Sequence, residues 1–158
     1  MTGLLDGVRV VDLSRVLAGP FAAQILAEMG ADVIKVEPPG GDSARGIGPF
    51  VNGRSMYFSS LNTNKRGVVL DLRTAAGRRS LDALLDTADI VVENYRPAAA
   101  AKLTVTPDVL LARHPELVIA TISGFGRGSE RESEAAYDLV AQAESGSLPA
   151  SIRCRLRA

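Results

Sequence analysis

Runs of apolar, often β-branched residues alternate along this chain with stretches whose apolar positions recur at helical spacing. VRVVDL, Val8 to Leu13, is the first such run. Its near-continuous apolar character suits a strand covered on both faces. Gly19-Pro20 marks a break before FAAQILAEMG, where Phe21, Ile25, Leu26 and Met29 share one helical face and Gly30 supplies the stop. ADVIKVE is the second strand, and PPGGD is a loop by composition. GVVLDL is the third strand, after which Thr74 reads as a helix cap and Leu81, Leu84, Leu85 and Ala88 form an i, i+3, i+4, i+7 stripe. DIVVENY is the fourth strand, PDVLLARHP a short helix with Pro107 in its first turn, and LVIATIS the fifth strand. The alternation predicts an α/β fold, a parallel sheet flanked by helices.

In open sheets of this kind ligands collect beyond the carboxyl ends of the strands. Those ends hold most of the polar residues of interest, in the ranges 12–15, 37–42, 71–74, 94–96 and 123–128. A dinucleotide cofactor is the first candidate, with Glu37 standing where a ribose-binding acid would. The turn SRVLAGP lacks the G-x-G-x-x-G spacing that admits a pyrophosphate, so Glu37 reads equally as a solvated strand-end carboxylate. GFGRG, Gly124 to Gly128, lacks Walker spacing and reads as a flexible connection. His114 precedes Pro115 near a helix end, which suits a terminal residue near the last carbonyls better than a catalytic base. Lys65, Arg66 and Arg73 surround the third strand. They make either a solvated turn with a helix cap or a phosphate cradle beside a helix amino terminus.

Composition narrows the choices. The 158 residues are enough for one ordinary domain, and 46% hydrophobic with 23% charged residues belongs to a globular protein. Lys+Arg and Asp+Glu both number 18, so no overall field draws the chain to nucleic acid or an acidic membrane; the expected partner is a small molecule. The single cysteine, Cys154, excludes an internal disulfide and a cysteine-built metal site, and no metal site is expected. No run of about 18 apolar residues occurs and no basic leader opens the chain, so it is expected to be cytoplasmic and not to enter a membrane. The last 12 residues, SLPASIRCRLRA, break the pattern: they hold three of the 18 basic residues and no acid, leaving 15 basic against 18 acidic residues through Gly146.

Taken in order, LDGVRVVDLSRVLAGP, MGADVIKVEPPGGD, NTNKRGVVLDLRTAAG, ADIVVENYRPA, LVIATISGFGRGS and YDLVAQAESG resemble the amino-terminal part of the type III CoA-transferase family, which includes formyl-CoA transferases, carnitine CoA-transferases and α-methylacyl-CoA racemases. The resemblance runs from Leu5 to Gly146. It implies CoA or acyl-CoA bound as substrate, with no separate cofactor, by a Rossmann-like large domain in an interlocked homodimer. Residues 1–146 would be the amino-terminal part of that domain, incomplete relative to the family, and 147–158 an atypical tail read out of frame.

The resemblance also implies a set of contacts to CoA. Leu17 and Ala18 match the contact after the first strand. Leu70, Asp71, Leu72 and Arg73 match the segment along the nucleotide. Asn94, Tyr95 and Arg96 match the next contact, and Lys102 falls where a basic residue commonly meets phosphate. Arg73, helped by Lys65 or Lys102, would then face the CoA phosphates. Two positions depart from the family: Pro38 and Leu17 stand where some members carry basic and polar residues.

Tyr137 and Asp138 complete the set. Racemases resemble one another in having histidine at the position of Tyr137; tyrosine is a poor base near neutral pH, which favours transfer over racemisation. The family's nucleophilic aspartate attacks the acyl thioester and belongs to a glycine-rich segment beyond AESG, which this chain does not contain, so no catalytic residue is assigned. The expectation is a truncated CoA-transferase, inactive alone. The alternatives are a noncatalytic CoA-binding module and a racemase-like isomerase.

Overall fold

A computed structural model describes residues 3–146, so SLPASIRCRLRA and its Cys154 lie outside the described residues. Two compact units divide the chain between Ile122 and Ser123. The first is built on five parallel strands, β1 (Arg9–Asp12), β2 (Asp32–Glu37), β5 (Lys65–Val69), β6 (Ile90–Glu93) and β7 (Val118–Thr121). Their order is β5-β2-β1-β6-β7. The chain thus moves outward from β1 on one side and returns to β1's other edge to continue outward as β6 and β7. Antiparallel β3 (Phe50–Val51) and β4 (Arg54–Ser55) form a separate hairpin, which leads into the short helix α2 (Met56–Ser60).

Strand pleating divides the core. On one face, Val11, Leu13, Val36 and Val91 pack with Leu81 and Leu85 of α3 (Ala75–Leu85), Ala100 of α4 (Pro97–Leu103) and Leu110 of α5 (Pro107–Arg113). On the other, Val10, Val33 and Val92 meet Ala23 and Ala27 of α1 (Ala18–Glu28). Alternate residues of a strand point to opposite faces, so Val10 and Val11, like Val91 and Val92, serve different layers. Each valine or leucine fully buried in this way contributes about 1.5–3 kcal/mol.

Three expectations need correction. Gly19-Pro20 is no break: both lie in the first turn of α1, where proline is tolerated because its missing N–H would have had no intrahelical partner. The face of α1 that meets the sheet carries Gly19, Ala23 and Ala27, while Phe21 and Ile25 are 52% and 43% exposed. Small residues let the helix approach the strands; Leu26 packs at the margin of this core, and Phe21 and Ile25 are left outside. The third strand of the sequence, β5, starts earlier and stops earlier than GVVLDL, and Leu70–Leu72 form its exit.

The second unit contains α6 (Asp138–Glu144) and the loop before it. GFGRG is more structured than a flexible connection: a Cβ at Gly124 would overlap that of Ala136, and the Arg131 guanidinium lies 3.9 Å from the Phe125 ring centroid. No described helix is long and apolar enough to cross a membrane.

Candidate functional site

The exits of β2 and β5 and the turn after β6 surround an open pocket of about 330 Å³. Val36, Leu72, Tyr95 and Leu103 supply its apolar wall, Glu37 to Gly40 one side, and Asp71 and Arg73 a charged rim. Burial pushes the Tyr95 hydroxyl above its usual pKa, so it stays neutral at physiological pH.

The segment from Leu70 to Arg73 is held in several ways. Leu70 donates its N–H to the Glu37 carbonyl at 2.9 Å, continuing the pairing just past the strand. Thr74 caps α3 by accepting from the Gly77 N–H at 3.0 Å and donates its hydroxyl to the Asp71 carbonyl at 2.8 Å. Arg78, one turn into α3, reaches back to the Leu72 and Arg73 carbonyls, each at 3.1 Å. A Cβ at Gly77 would collide with the Asp71 carbonyl, so glycine is what allows α3 to press against this segment.

Arg73 is exposed, and its guanidinium makes two 2.8 Å bonds to the Asp71 carboxylate. That pairing lowers the pKa of Asp71 and raises that of Arg73. Exposed pairs of this kind contribute little, so an incoming phosphate could take over the guanidinium at small cost. Lys102 is exposed in the last turn of α4, one residue before the pocket-lining Leu103, and its ammonium has no hydrogen bond or ion pair among the described residues.

Lys65 does not join them. Its ammonium is buried and donates to Asp12 Oδ2 at 2.9 Å, the Pro20 carbonyl at 2.7 Å and Asn62 Oδ1 at 2.9 Å, which uses all three of its protons. The expectation that Lys65 helps hold phosphate is therefore corrected, and so is the solvated turn offered for it. Burial lowers its pKa, an effect that Asp12 opposes. Arg66 is exposed and pairs with Asp32 at 2.5 Å.

Beneath the loops, Lys65 belongs to a buried ionic cluster. Lys35, in the middle of β2, lies 3.1 Å from Asp42 and 3.9 Å from Asp12, and donates to the Ser14 carbonyl at 2.9 Å. Two ammonium groups face two carboxylates, which lets each charge stay out of water. Glu37 is also internal: Arg45 grips both its oxygens at 2.6 Å and the Asp42 N–H bonds it at 2.9 Å. Burial raises its pKa, but the Arg45 and Asp42 bonds outweigh that and leave it lowered. Neither a ribose-binding acid nor a solvated carboxylate describes Glu37, because both oxygens are already committed. Lys35, Arg45 and Arg78 carried no site assignment from the sequence; the signal for Lys35 was a lone cation in an otherwise apolar strand.

The remaining positions spread out. Tyr95 joins Leu70–Arg73 in lining the pocket, whereas Leu17, Ala18, Asn94, Arg96 and Lys102 do not line it. Leu17 and Ala18 begin α1 and are exposed. Asn94 bonds the Arg15 backbone through both ends of its amide, at 2.8 Å each. Arg96 precedes Pro97 at the start of α4. Tyr137 and Asp138 belong to the second unit, where Tyr137 is 70% exposed at the start of α6 and Asp138 accepts from Gln142 at 2.6 Å. His114 ends α5 as expected, with Nδ1 3.4 Å from Asp86. Among the described residues no cluster of three or more His, Cys, Asp or Glu could hold a metal ion.

The sequence profile of CoA-transferase family III matches residues 5–151. The chain is 42% identical over 153 residues to a succinyl-CoA:mesaconate CoA-transferase of Haloarcula hispanica, covering 91% of this chain and 39% of that protein. It is also 42% identical over 149 residues to a formyl-CoA:oxalate CoA-transferase of Streptomyces avermitilis, covering 94% and 36%. A solved structure of a CAIB/BAIF family protein from Brucella suis superposes with a TM-score of 0.87 at 39% identity, over 92% of this chain and 40% of that one. The chain therefore spans well under half the length of the proteins it matches.

Proposed function

Because the chain belongs to CoA-transferase family III, we propose that it supplies the CoA-binding part of an acyl-CoA:carboxylate CoA-transferase, an enzyme that moves CoA from an acyl thioester to a carboxylic acid. The observation that carries this reading is the pocket at the strand exits. It gathers Leu70–Arg73 and Tyr95, five of the positions that resemble CoA contacts, around an apolar wall with a cation at the rim. A flat, largely apolar base followed by phosphates suits that wall and rim, with the base against Tyr95 and Leu72 and the phosphates toward Arg73 and Lys102.

In the proposed reaction an aspartate carboxylate attacks the acyl thioester and expels the CoA thiolate, giving a mixed anhydride. The thiolate attacks the aspartyl carbonyl, releasing the acyl group as its carboxylate and leaving an enzyme-CoA thioester. The acceptor carboxylate displaces the thiolate to form a second anhydride, and the thiolate takes the acceptor acyl group and frees the aspartate. The nucleophile is assigned to the glycine-rich segment that follows the matched motifs in the family, and the exchange to the polypeptide that carries both, acting as a cytoplasmic homodimer. Tyr137, in place of a histidine, favours transfer over proton exchange at the α-carbon. Isothermal titration of the 158-residue chain with CoA tests the reading. Saturable binding is expected, weakened by about tenfold in Arg73→Ala, the scale of one charge-assisted bond to phosphate. A folded chain that gives no saturable heat with CoA overturns it.

A further inference from the structure

The loop between β1 and α1 contains a backbone conformation that its sequence does not favour. Val16 has φ 68°, in the left-handed region, where a β-branched side chain is crowded by its own backbone. Such a conformation persists only when the surroundings over-determine it. Three separate parts of the fold do so here. From the end of β1, Asp12 Oδ1 accepts the Ser14 N–H at 2.9 Å and also the Ser14 hydroxyl. From the loop after β2, the Asp42 carboxylate accepts the Val16 N–H at 3.2 and 3.3 Å and is itself anchored by Lys35 at 3.1 Å. From the exit of β6, Asn94 closes on Arg15 from both sides: Oδ1 accepts the Arg15 N–H and Nδ2 donates to the Arg15 carbonyl, each at 2.8 Å.

Asn94 thus uses both ends of its amide on the residue immediately before Val16, and the two residues immediately after Val16 are Leu17 and Ala18. Each end of the amide keeps one further bonding position, but the two bonds made here grip the peptide groups on either side of Arg15, 79 positions away in the chain, so the loop sets the orientation of the side chain. We propose that Asn94 is a positioning residue: it acts on bound CoA through the β1–α1 loop, by holding Val16 left-handed and thereby setting where Leu17 and Ala18 stand. The proposal rests on the reading that this chain binds CoA.

A direct contact and a clamp make different predictions when the strain is removed. Glycine adopts positive φ without the steric penalty, so in Val16→Gly the loop no longer needs to be forced into place. The experiment compares the wild-type chain, Asn94→Ala, Val16→Gly and the double variant, reading CoA affinity by calorimetry and stability by urea midpoint, as a double-mutant cycle. Asn94→Ala is expected to weaken CoA binding about tenfold in the wild-type background and less than threefold in the Val16→Gly background, with its loss in midpoint shrinking in parallel. Val16→Asn, another residue that tolerates the left-handed region, should give the same rescue.

Equal losses of affinity in both backgrounds would mean that Asn94 touches CoA itself and would overturn the proposal. So would additive changes in the urea midpoint, which are measured without CoA and therefore test the clamp even if the wild-type chain fails to bind it. Failure of the wild-type chain to bind overturns the CoA reading and the role assigned to the clamp in binding, while the midpoints still decide whether the clamp exists. Should Asn94→Ala not fold, Asn94→Asp, which retains the acceptor for the Arg15 N–H, is carried through the same cycle, where an effect common to both backgrounds cancels.

Discussion

Asp12 is fully buried, and its charge is balanced by Lys65 at 2.9 Å, with Lys35 a more distant 3.9 Å away. Lys65→Met retains length and apolar stem but removes the near cation, leaving a buried carboxylate poorly compensated. The expected loss is about 3–5 kcal/mol, read from urea unfolding of the purified chain. A loss below about 1 kcal/mol would mean that the cluster is hydrated and the pairing unimportant. At this scale the sequence was only partly legible. Arg73 and Tyr95 could be marked through the resemblance, and both line the pocket. Lys65 looked like a surface cation because sequence neighbours such as Asn64 and Arg66 are polar; its destination is set by Asp12, 53 positions away. Nothing local records a partner at that distance.

Helix α3 illustrates how an element carries a binding segment. Its buried side, Leu81 and Leu85, was visible as a 3.6-residue stripe, and its cap Thr74 as a hydroxyl before that stripe. Less visible was the close approach of Gly77 to the Asp71 backbone, because nothing around a helical glycine announces what lies against it. Gly77→Ala should push α3 and the Asp71–Arg73 turn apart. We expect a loss of about 1–3 kcal/mol, as for overpacking elsewhere, with a lower melting temperature by circular dichroism. An unchanged or higher melting temperature would show that the turn yields freely and that the helix propensity of alanine decides the sign. The hairpin β3–β4 was overlooked although Asn52 and Gly53 both have positive φ, as an Asn-Gly hairpin turn requires. Its strands have two residues each, too few to show alternation. On α1 the reverse occurred: a clear apolar face was legible, but the sheet selected the small residues beside it.

For the whole molecule, the sequence pattern sufficed to predict a parallel sheet with helices, since the strands show as apolar runs and the β1–β2 and β5–β6 crossovers as helical stripes; the strand order depends on pairings that no local pattern encodes. That order places β5 and β7 at the edges, where Val69 and Val118 are 62% and 63% exposed. Parallel edges that are unpaired among the described residues and carry exposed valines invite pairing between chains. The protein is expected to self-associate as its concentration rises, and Val118→Lys to shift that onset upward in light scattering; an onset unaffected by the lysine would move the responsibility away from β7. The central position of β1 has a consequence of another kind, in time. Arg9 donates its N–H to Asp89, 80 residues later, and β1 cannot gain its second neighbour until β6 has been made. At roughly 5–20 residues per second, synthesis of the intervening chain takes about 4–16 s. The central strand of the sheet is the first of its five to leave the ribosome, and it must wait there with one side open for the residues that will cover it.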